Sequence, residues 1–343
     1  TFSTPEDDAQ RRDFTINGLF FDPLENQVID HVAGQRDLAD KTLRAIGDPD
    51  QRFAEDHLRL LRAVRFASSL GFGIEPRTWD AVRTHAPHIA KIAPERIRLE
   101  LELILVHPSR LRGFDLLVDS GLMAHIWPEV LTLQGCQQPP QWHPEGDVFV
   151  HTRIMLGMLP ADASLTLVLS VLFHDIAKPA TYSYDPAEDR IRFNGHDRLG
   201  AEMAADILRR HRFSNDVIDT TVHAVDRHMQ FMNVQNMRTA KLKRFMAAPH
   251  FDEELELHRV DCASSNGFDD NYKFLQAKAE EFANQPLIPP PFVTGKDLID
   301  RGHQPGPAFK SILTDLQNLQ LDGTLTTRDD ALAHLDANFP AAS

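Results

Sequence analysis

The stretch VLSVLFHDIAKP constrains this chain more than any other, because an apolar helical run ends on His174 and Asp175 side by side. Neighbours on a helix point about 100° apart, so both can reach one metal ion only from the two flanks of a crevice between elements. Imidazole beside carboxylate suits a hard-to-borderline divalent ion such as Mn, Fe, Ni, Co, Zn or Mg. Such a site needs further ligands from other helices. The chain offers His151 in VFVHTRIML, His196 in FNGHDRLGAE, His228 in DRHMQ and Asp261 in LHRVDCASS, with His223 a competitor for the position of His228. With 17 histidines in the chain, any single one is usually structural or exposed. The joint order on apolar helices carries the reading.

That order, His, then His-Asp, then His, His and a final Asp, resembles the HD phosphohydrolase superfamily. The resemblance implies that His151, His174, Asp175 and Asp261 hold one metal, a transition ion (Mn, Ni, Co or Fe) or Mg2+. It also implies that His196 and His228 serve a second metal or a phosphate. The implied reaction is hydrolysis of a phosphoester by metal-activated water, with Lys178 reaching a phosphate oxygen.

At 343 residues the chain is expected to hold two to four modules. Its 42% hydrophobic and 25% charged residues are those of a soluble globular protein. No apolar run approaches the roughly 20 residues of a membrane span. Cys136 and Cys262 are the only cysteines, which excludes a disulfide framework or thiolate cluster and makes the cytoplasm the expected compartment. A net charge of −14 argues against bulk attraction to nucleic acid. The charge is uneven, however: Arg59, Arg62, Arg65, Arg77, Arg83, Lys91, Arg96, Arg98, Arg110 and Arg112 form a basic block compatible with RNA contact or with a solvated helix surface.

Four segments are expected. Residues 1–46 read as short strands and turns, with TINGLFFD and QVIDHV flanking DPLEN. Residues 47–135 read as helical; EDHLRLLRAVRFASSLGF carries Leu58, Leu61, Val64 or Arg65, and Ala67 on one face and stops at Gly71. Pro94 and Glu95 start a further helix. CQQPPQWHPEGD is a break, 145–270 is again helical with a small hairpin or loop at YSYDPAEDRIRFNGH, and NQPLIPPPFVTG is a stiff linker before a helical tail at 285–343.

RRDFTIN, followed by DPDQRFAEDHLRLLRAVRFASSLGF, APERIRLELELIL, WHPEGDVFVHT and TGKDLIDRGHQPGPAFKSIL, resembles the bacterial tRNA nucleotidyltransferase and poly(A) polymerase family over nearly the whole chain. The implied fold is mainly α: the end of an α/β nucleotidyltransferase head (1–46), a helical neck that binds nucleobase and RNA (47–135), an all-α HD domain (145–270) and a helical tail (285–343). Arg11, Arg12, Asp13 and Asn17 inherit contacts to the nucleotide's sugar and phosphates, and Asp56, Arg59 and Arg62 complete the nucleotide site. Gly18, where alanine is common, is a small departure. The implied partners are tRNA, CTP and ATP, without a membrane; oligomeric state stays open. Transfer in this family uses Mg2+ held by paired carboxylates upstream of RRDFTIN. Residues 1–10 contain no such pair, since Asp7 and Asp8 are adjacent, so an N-terminally incomplete chain is expected. CCA, CC-only, A-only and poly(A) addition share these motifs, and a stand-alone HD phosphohydrolase or a noncatalytic RNA-binding module are the competing readings.

EDHLR has a rationale of its own. Asp56 and Arg59, three apart, are expected to share a helix face. Cytosine and adenine both present an amino donor beside a ring-nitrogen acceptor; the carboxylate accepts from the first and the arginine donates to the second. Uracil and guanine place a carbonyl against the carboxylate. Glu55 is expected to support the turn or Arg59.

Overall fold

A computed structural model describes residues 4–341. The fold is mainly α, with three two-stranded sheets among the described residues. Two compact units divide the chain: Thr1–His228 with Val260–Gly267, and Met229–Arg259 with Phe268–Ser343.

In the first unit the head opens on a helix, Pro5–Gln10, where strands and turns were expected. Thr4 and Asp7 form a reciprocal capping box, Asp7 N donating to Thr4 Oγ1 and Thr4 N to Asp7 Oδ2, both at 3.1 Å. The strand expected over TINGLFFD starts late: Thr15–Asn17 is a 3₁₀ turn and only Leu19–Asp22 is extended, paired antiparallel with Gln27–Asp30. Two contacts impose that turn. The Thr15 hydroxyl donates to buried Asp37 at 2.7 Å, and Gly34 packs so close that a β-carbon there would lie 2.2 Å from the Thr15 carbonyl. Helix Gly34–Ala39 leads into strand Thr42–Leu43, which pairs in parallel with Gly73–Ile74.

The neck begins with helix Pro49–Glu55, breaks at Asp56, and resumes as Arg59–Leu70, ended by Gly71 at φ +69°. Leu60, Leu61, Ala63, Val64 and Ala67 are buried, and the helix packs on Pro94–Leu105 and Arg110–Asp119. Burying each such Leu or Val fully stabilises by roughly 1.5–3 kcal/mol. Gly113 permits the close crossing: a β-carbon there would meet Ile104 Cγ2 at 2.5 Å.

Helices Val148–Met158 and Leu165–Phe173 are started by side-chain caps, Asp147 accepting from Val150 N at 2.9 Å and Ser164 from Leu167 N at 3.1 Å. Every residue from Leu167 to Phe173 is buried. A helix apolar on all sides belongs inside a core. Helices His196–Arg210 and Asn215–Arg227 pack on each other, and the YSYDPAEDRIRFNGH stretch forms a hairpin of Ser183–Asp185 and Arg190–Arg192. The second unit holds two cores, one around Phe231, Phe245 and Leu275 and one around Leu298, Leu316 and Leu335. The Pro-rich stretch is anchored at its end, since Phe292 and Val293 belong to the latter core. Among the described residues no helix is long and apolar enough to cross a membrane.

Candidate metal centre and nucleotide cleft

Four helices of the first unit and its segment Val260–Gly267 bring His151, His174, Asp175, His196, His228 and Asp261 together. His151 lies inside helix Val148–Met158, His174 caps Leu165–Phe173, His196 opens its helix after Gly195, His228 closes Asn215–Arg227, and Asp261 lies in Phe251–Ser264. His151 Nε2 stands 3.1 Å from Asp261 Oδ1, and His174 Nε2 stands 3.1 Å from Asp175 Oδ2. His196 and His228 present Nε2 to Asp175 Oδ1 at 3.4 and 3.9 Å. One ligand atom each from His151, His174 and Asp175 lies within 4.8 Å of the others, and the same holds for Asp175, His196 and His228. Asp175 belongs to both groups. His223 belongs to neither group; its Nε2 faces Arg227 Nη1 at 3.4 Å.

The four histidines share one arrangement behind the centre. Nδ1 faces Val171 O in His174 (2.8 Å), Phe193 O in His196 (2.7 Å), Val225 O in His228 (2.6 Å) and Glu145 Oε1 in His151 (2.7 Å). Against such acceptors Nδ1 carries the proton, which leaves the Nε2 lone pairs pointing inward. These atoms do not satisfy one another. His151 Nε2, His174 Nε2 and both Asp175 oxygens are buried without an aligned hydrogen bond despite the short contacts, and two imidazole Nε2 atoms, of His196 and His228, face each other at 3.2 Å. A proton on one of the two or a divalent cation between them relieves that opposition. A divalent ion therefore fits the donor set, and HD domains generally use one.

Without an ion, the centre's groups perturb one another instead. Burial works against a charged His151, yet the Asp261 and Glu145 carboxylates facing its two nitrogens raise its pKa to about 9. Burial likewise opposes ionisation of Asp175, but the charges of His174 and Lys178 hold its pKa well below the carboxylate range. Burial opposes charge on Asp261 too, and its His151 hydrogen bond outweighs that. His228, buried and close to His174, is pushed down to about 4. Lys178 Nζ sits 2.7 Å from Asp175 Oδ2 and 2.6 Å from Gln138 Oε1.

A second site lies between head and neck: an open cleft of about 370 Å³ lined by Arg12, Asp13, Asn17, Asp56, Leu58, Arg59, Arg62 and Arg96. Asp13 organises the head side. Its Oδ1 accepts from Phe14 N at 2.9 Å and Asn17 Nδ2 at 3.0 Å, and its Oδ2 accepts from Arg62 Nε at 2.6 Å. Arg12 is held over the Phe20 ring at 4.6 Å and donates to Asn17 O at 2.7 Å. Arg11 is not in the lining; it pairs with Asp8 on the exposed flank of its helix.

Asp56 and Arg59 both line the cleft but do not share a helix face. Asp56 is extended at φ −150°, in the break between two helices, and its Oδ1 accepts from Leu58 N at 3.0 Å. Its partner is Arg96, at 2.9 Å. Arg59 instead pairs with Glu55 at 2.6 Å and donates to Arg52 O and Arg11 O at 2.9 and 3.1 Å. Arg96 was missed as a site residue because it lies forty positions away, visible only as one charge in the basic block. Both carboxylates of the lining are held by arginines, so the cleft's residues do not fit a two-metal centre. Of the basic block, Arg110 is buried on the carbonyls of Leu105, Leu159 and Ala161, and Arg65 pairs with Glu100 at 2.7 Å. Arg77, Arg83, Lys91 and Arg96 are exposed.

Three segments of the chain match known protein families. Residues 1–44 match the family described as poly A polymerase head domain, residues 71–133 the probable RNA and SrmB-binding site of polymerase A, and residues 148–259 the HD domain. The A-adding tRNA nucleotidyltransferase of Deinococcus radiodurans is 32% identical over 346 residues, spanning 96% of this chain and 78% of that protein. The CC-adding tRNA nucleotidyltransferase of Thermus thermophilus is 31% identical over 342 residues, 96% of this chain and 76% of that one. The fold is that of the Bacillus stearothermophilus CCA-adding enzyme crystallised with CTP, at TM-score 0.67 and 24% identity over 94% of this chain and 71% of the other. Together they define a class: a polymerase-type head segment, a helical neck and an HD domain on one chain. The chain belongs to the tRNA nucleotidyltransferase family.

Proposed function

We propose that this chain recognises CTP, ATP or both for template-free addition to the 3′ end of tRNA, and hydrolyses phosphoesters at its HD centre. The observation that carries the first part is the cleft, where Arg12, Asp13 and Asn17 of the head meet Asp56, Arg59 and Arg62 of the neck. Asp56 releases Arg96 to accept the exocyclic amino group of cytosine or adenine, and Arg59 donates to the adjacent ring nitrogen. Asp13 keeps Arg62 and Asn17 turned to the sugar and phosphates. No Mg2+-dependent step is derived from the cleft, because its carboxylates are already ion-paired. Arg77, Arg83 and Lys91, exposed within the segment matching an RNA-binding family, are the contacts proposed for tRNA phosphates. Half-buried cysteines suit a reducing cytoplasm.

At the HD centre His151, His174, Asp175 and Asp261 would hold a divalent ion (Mn, Ni, Co, Fe or Mg), with His196 and His228 for a second ion or a phosphate. Such an ion polarises a phosphoryl oxygen and lowers the pKa of water. Glu145 and the backbone carbonyls behind the histidines fix their tautomers, and Lys178 offers its charge to a phosphate oxygen while steadying Asp175.

Equilibrium binding of the four ribonucleoside triphosphates to this chain tests the recognition. CTP or ATP should bind, with UTP and GTP excluded by two or more orders of magnitude. Equal binding of all four would refute the assignment of Asp56. Hydrolysis of bis-p-nitrophenyl phosphate, dependent on added Mn2+ or Ni2+ and lost in His174→Ala, tests the second part.

A further inference from the structure

The neck carries a second histidine cluster that neither motif uses. His57 follows Asp56 in the interhelical break, His85 ends helix Pro76–His85, and His88 lies in the 3₁₀ segment Ala86–Lys91. Side chains three apart eclipse in 3₁₀ geometry, which sets His85 and His88 on one side. One ring nitrogen from each of the three lies within 4.8 Å of the other two. The ring centroids are 4.9, 5.5 and 6.3 Å apart. Rings around a tetrahedral ion with metal–nitrogen bonds of about 2.1 Å have centroids roughly 5–6 Å apart, a spacing that the three observed distances bracket, so small side-chain movements bring the rings onto one ion.

Two further observations point to a ligand. The Nδ1 atoms of His57, His85 and His88 are all buried without a hydrogen-bond partner. His85 presents its other nitrogen, Nε2, to Asp50 Oδ1 at 3.0 Å. A carboxylate behind an imidazole fixes the tautomer and leaves the opposite nitrogen as a lone-pair donor, the arrangement found behind metal-bound histidines. The Lys91 ammonium lies close enough to act on both His57 and His88. Lys91 itself opposes a cation, which sets the site toward the weaker end of three-histidine affinity.

We propose that His57, His85 and His88 form a transition-metal site for Zn2+, Co2+ or Ni2+, oriented by Asp50, with a fourth position open to water. It is separate from the HD centre. Because His57 sits between Asp56 and Leu58, whose N–H the Asp56 carboxylate accepts, an ion here also stiffens the break that sets Asp56 in the nucleotide cleft.

The test is bound Co2+ per chain, counted after gel filtration and followed by its visible absorption, in the wild-type chain and in His85→Ala and His88→Ala. The expected result is loss of one equivalent in each variant, with the ions of the HD centre retained. Identical metal content in wild type and both variants would overturn the proposal. Two exposed substitutions that leave the core untouched guard against misfolding. Asp50→Ala should weaken Co2+ binding at this site by roughly 10–100-fold, and Lys91→Ala should tighten it by up to about fivefold. No change in affinity from either substitution would equally overturn it.

Discussion

The HD centre and the nucleotide cleft use the same residue types in opposite ways. In the cleft every carboxylate of the lining already has a cationic partner, Asp13 with Arg62 and Asp56 with Arg96. In the HD centre the donors crowd together unsatisfied, with Asp175 unaligned to any of its neighbours and two Nε2 atoms opposed. The cleft is thus self-neutralised: a ligand enters by exchanging partners, so it gains differences between interactions, which suits discrimination among similar nucleotides. The centre holds its strain ready for one kind of guest, a small cation, and gains the whole interaction on binding.

The largest effect should come from breaking the centre. His174→Ala and Asp175→Ala should each abolish stoichiometric metal retention at the HD centre, measured by elemental analysis after gel filtration. Asp175→Ala should be the more severe because that carboxylate serves both ligand groups. Full metal content in both would contradict the assigned ligands.

The cleft should fail differently. Asp56→Ala should leave CTP and ATP binding measurable but erase preference over UTP and GTP. Two mismatched polar contacts at about 1–3 kcal/mol each correspond to roughly two to four orders of magnitude, read as the ratio of dissociation constants. Selectivity preserved in the variant would remove Asp56 from base reading.

His211 sharpens the comparison as a buried histidine that a nearby carboxylate, Glu129, only partly offsets. Burial, then the Arg210 charge, pushes its pKa down to about 4, whereas the equally buried His151 is raised to about 9 by Asp261 and Glu145. The folded pKa of His211 lies below its unfolded value near 6.5. Its contribution is therefore fully present above pH 6.5, declines as pH falls, and is lost by about pH 4, amounting to a few kcal/mol. Thermal unfolding of wild type and His211→Phe across this window should show the acid-side slope reduced in the variant; parallel curves would place the acid sensitivity elsewhere.

The smallest expected effect belongs to Arg96→Ala. Freeing Asp56 from a half-exposed ion pair should tighten CTP binding by up to about fivefold. Weaker binding would show that Arg96 itself touches the nucleotide.

How much of this could be read from the chain depended on where the information lay. The clustering of His151, His174, Asp175, His196, His228 and Asp261 was legible because metal chemistry restricts residue type, and their order along apolar helices survives any detail of packing. The helix ended by Gly71 was legible because the apolar period and the terminator are local. The placement of Asp56 was not, since EDHLR reads as continuous helix. One signal was present: an aspartate in mid-helix prefers to accept a backbone N–H two or three residues on, as Asp56 does from Leu58, and so favours a break. The 3₁₀ turn at Thr15 depends on Gly34 and Asp37, and the pairing of Asp56 depends on Arg96; both are distant contacts that no local pattern encodes. The cluster of His57, His85 and His88 was hidden for the same reason.

One feature of the seam between head and neck bears on how such chains diverge. Arg59 grips the carbonyls of Arg11 and Arg52, and Arg52 grips those of Gln10 and Ile46. Every residue type supplies a carbonyl, and no carbonyl titrates. A position gripped only through its carbonyl, such as exposed Gln10, is therefore free to drift in side chain and the surrounding medium free to change in acidity, while the guanidiniums of Arg52 and Arg59 keep the halves of the nucleotide site in register; the inheritance of that geometry rests on two codons.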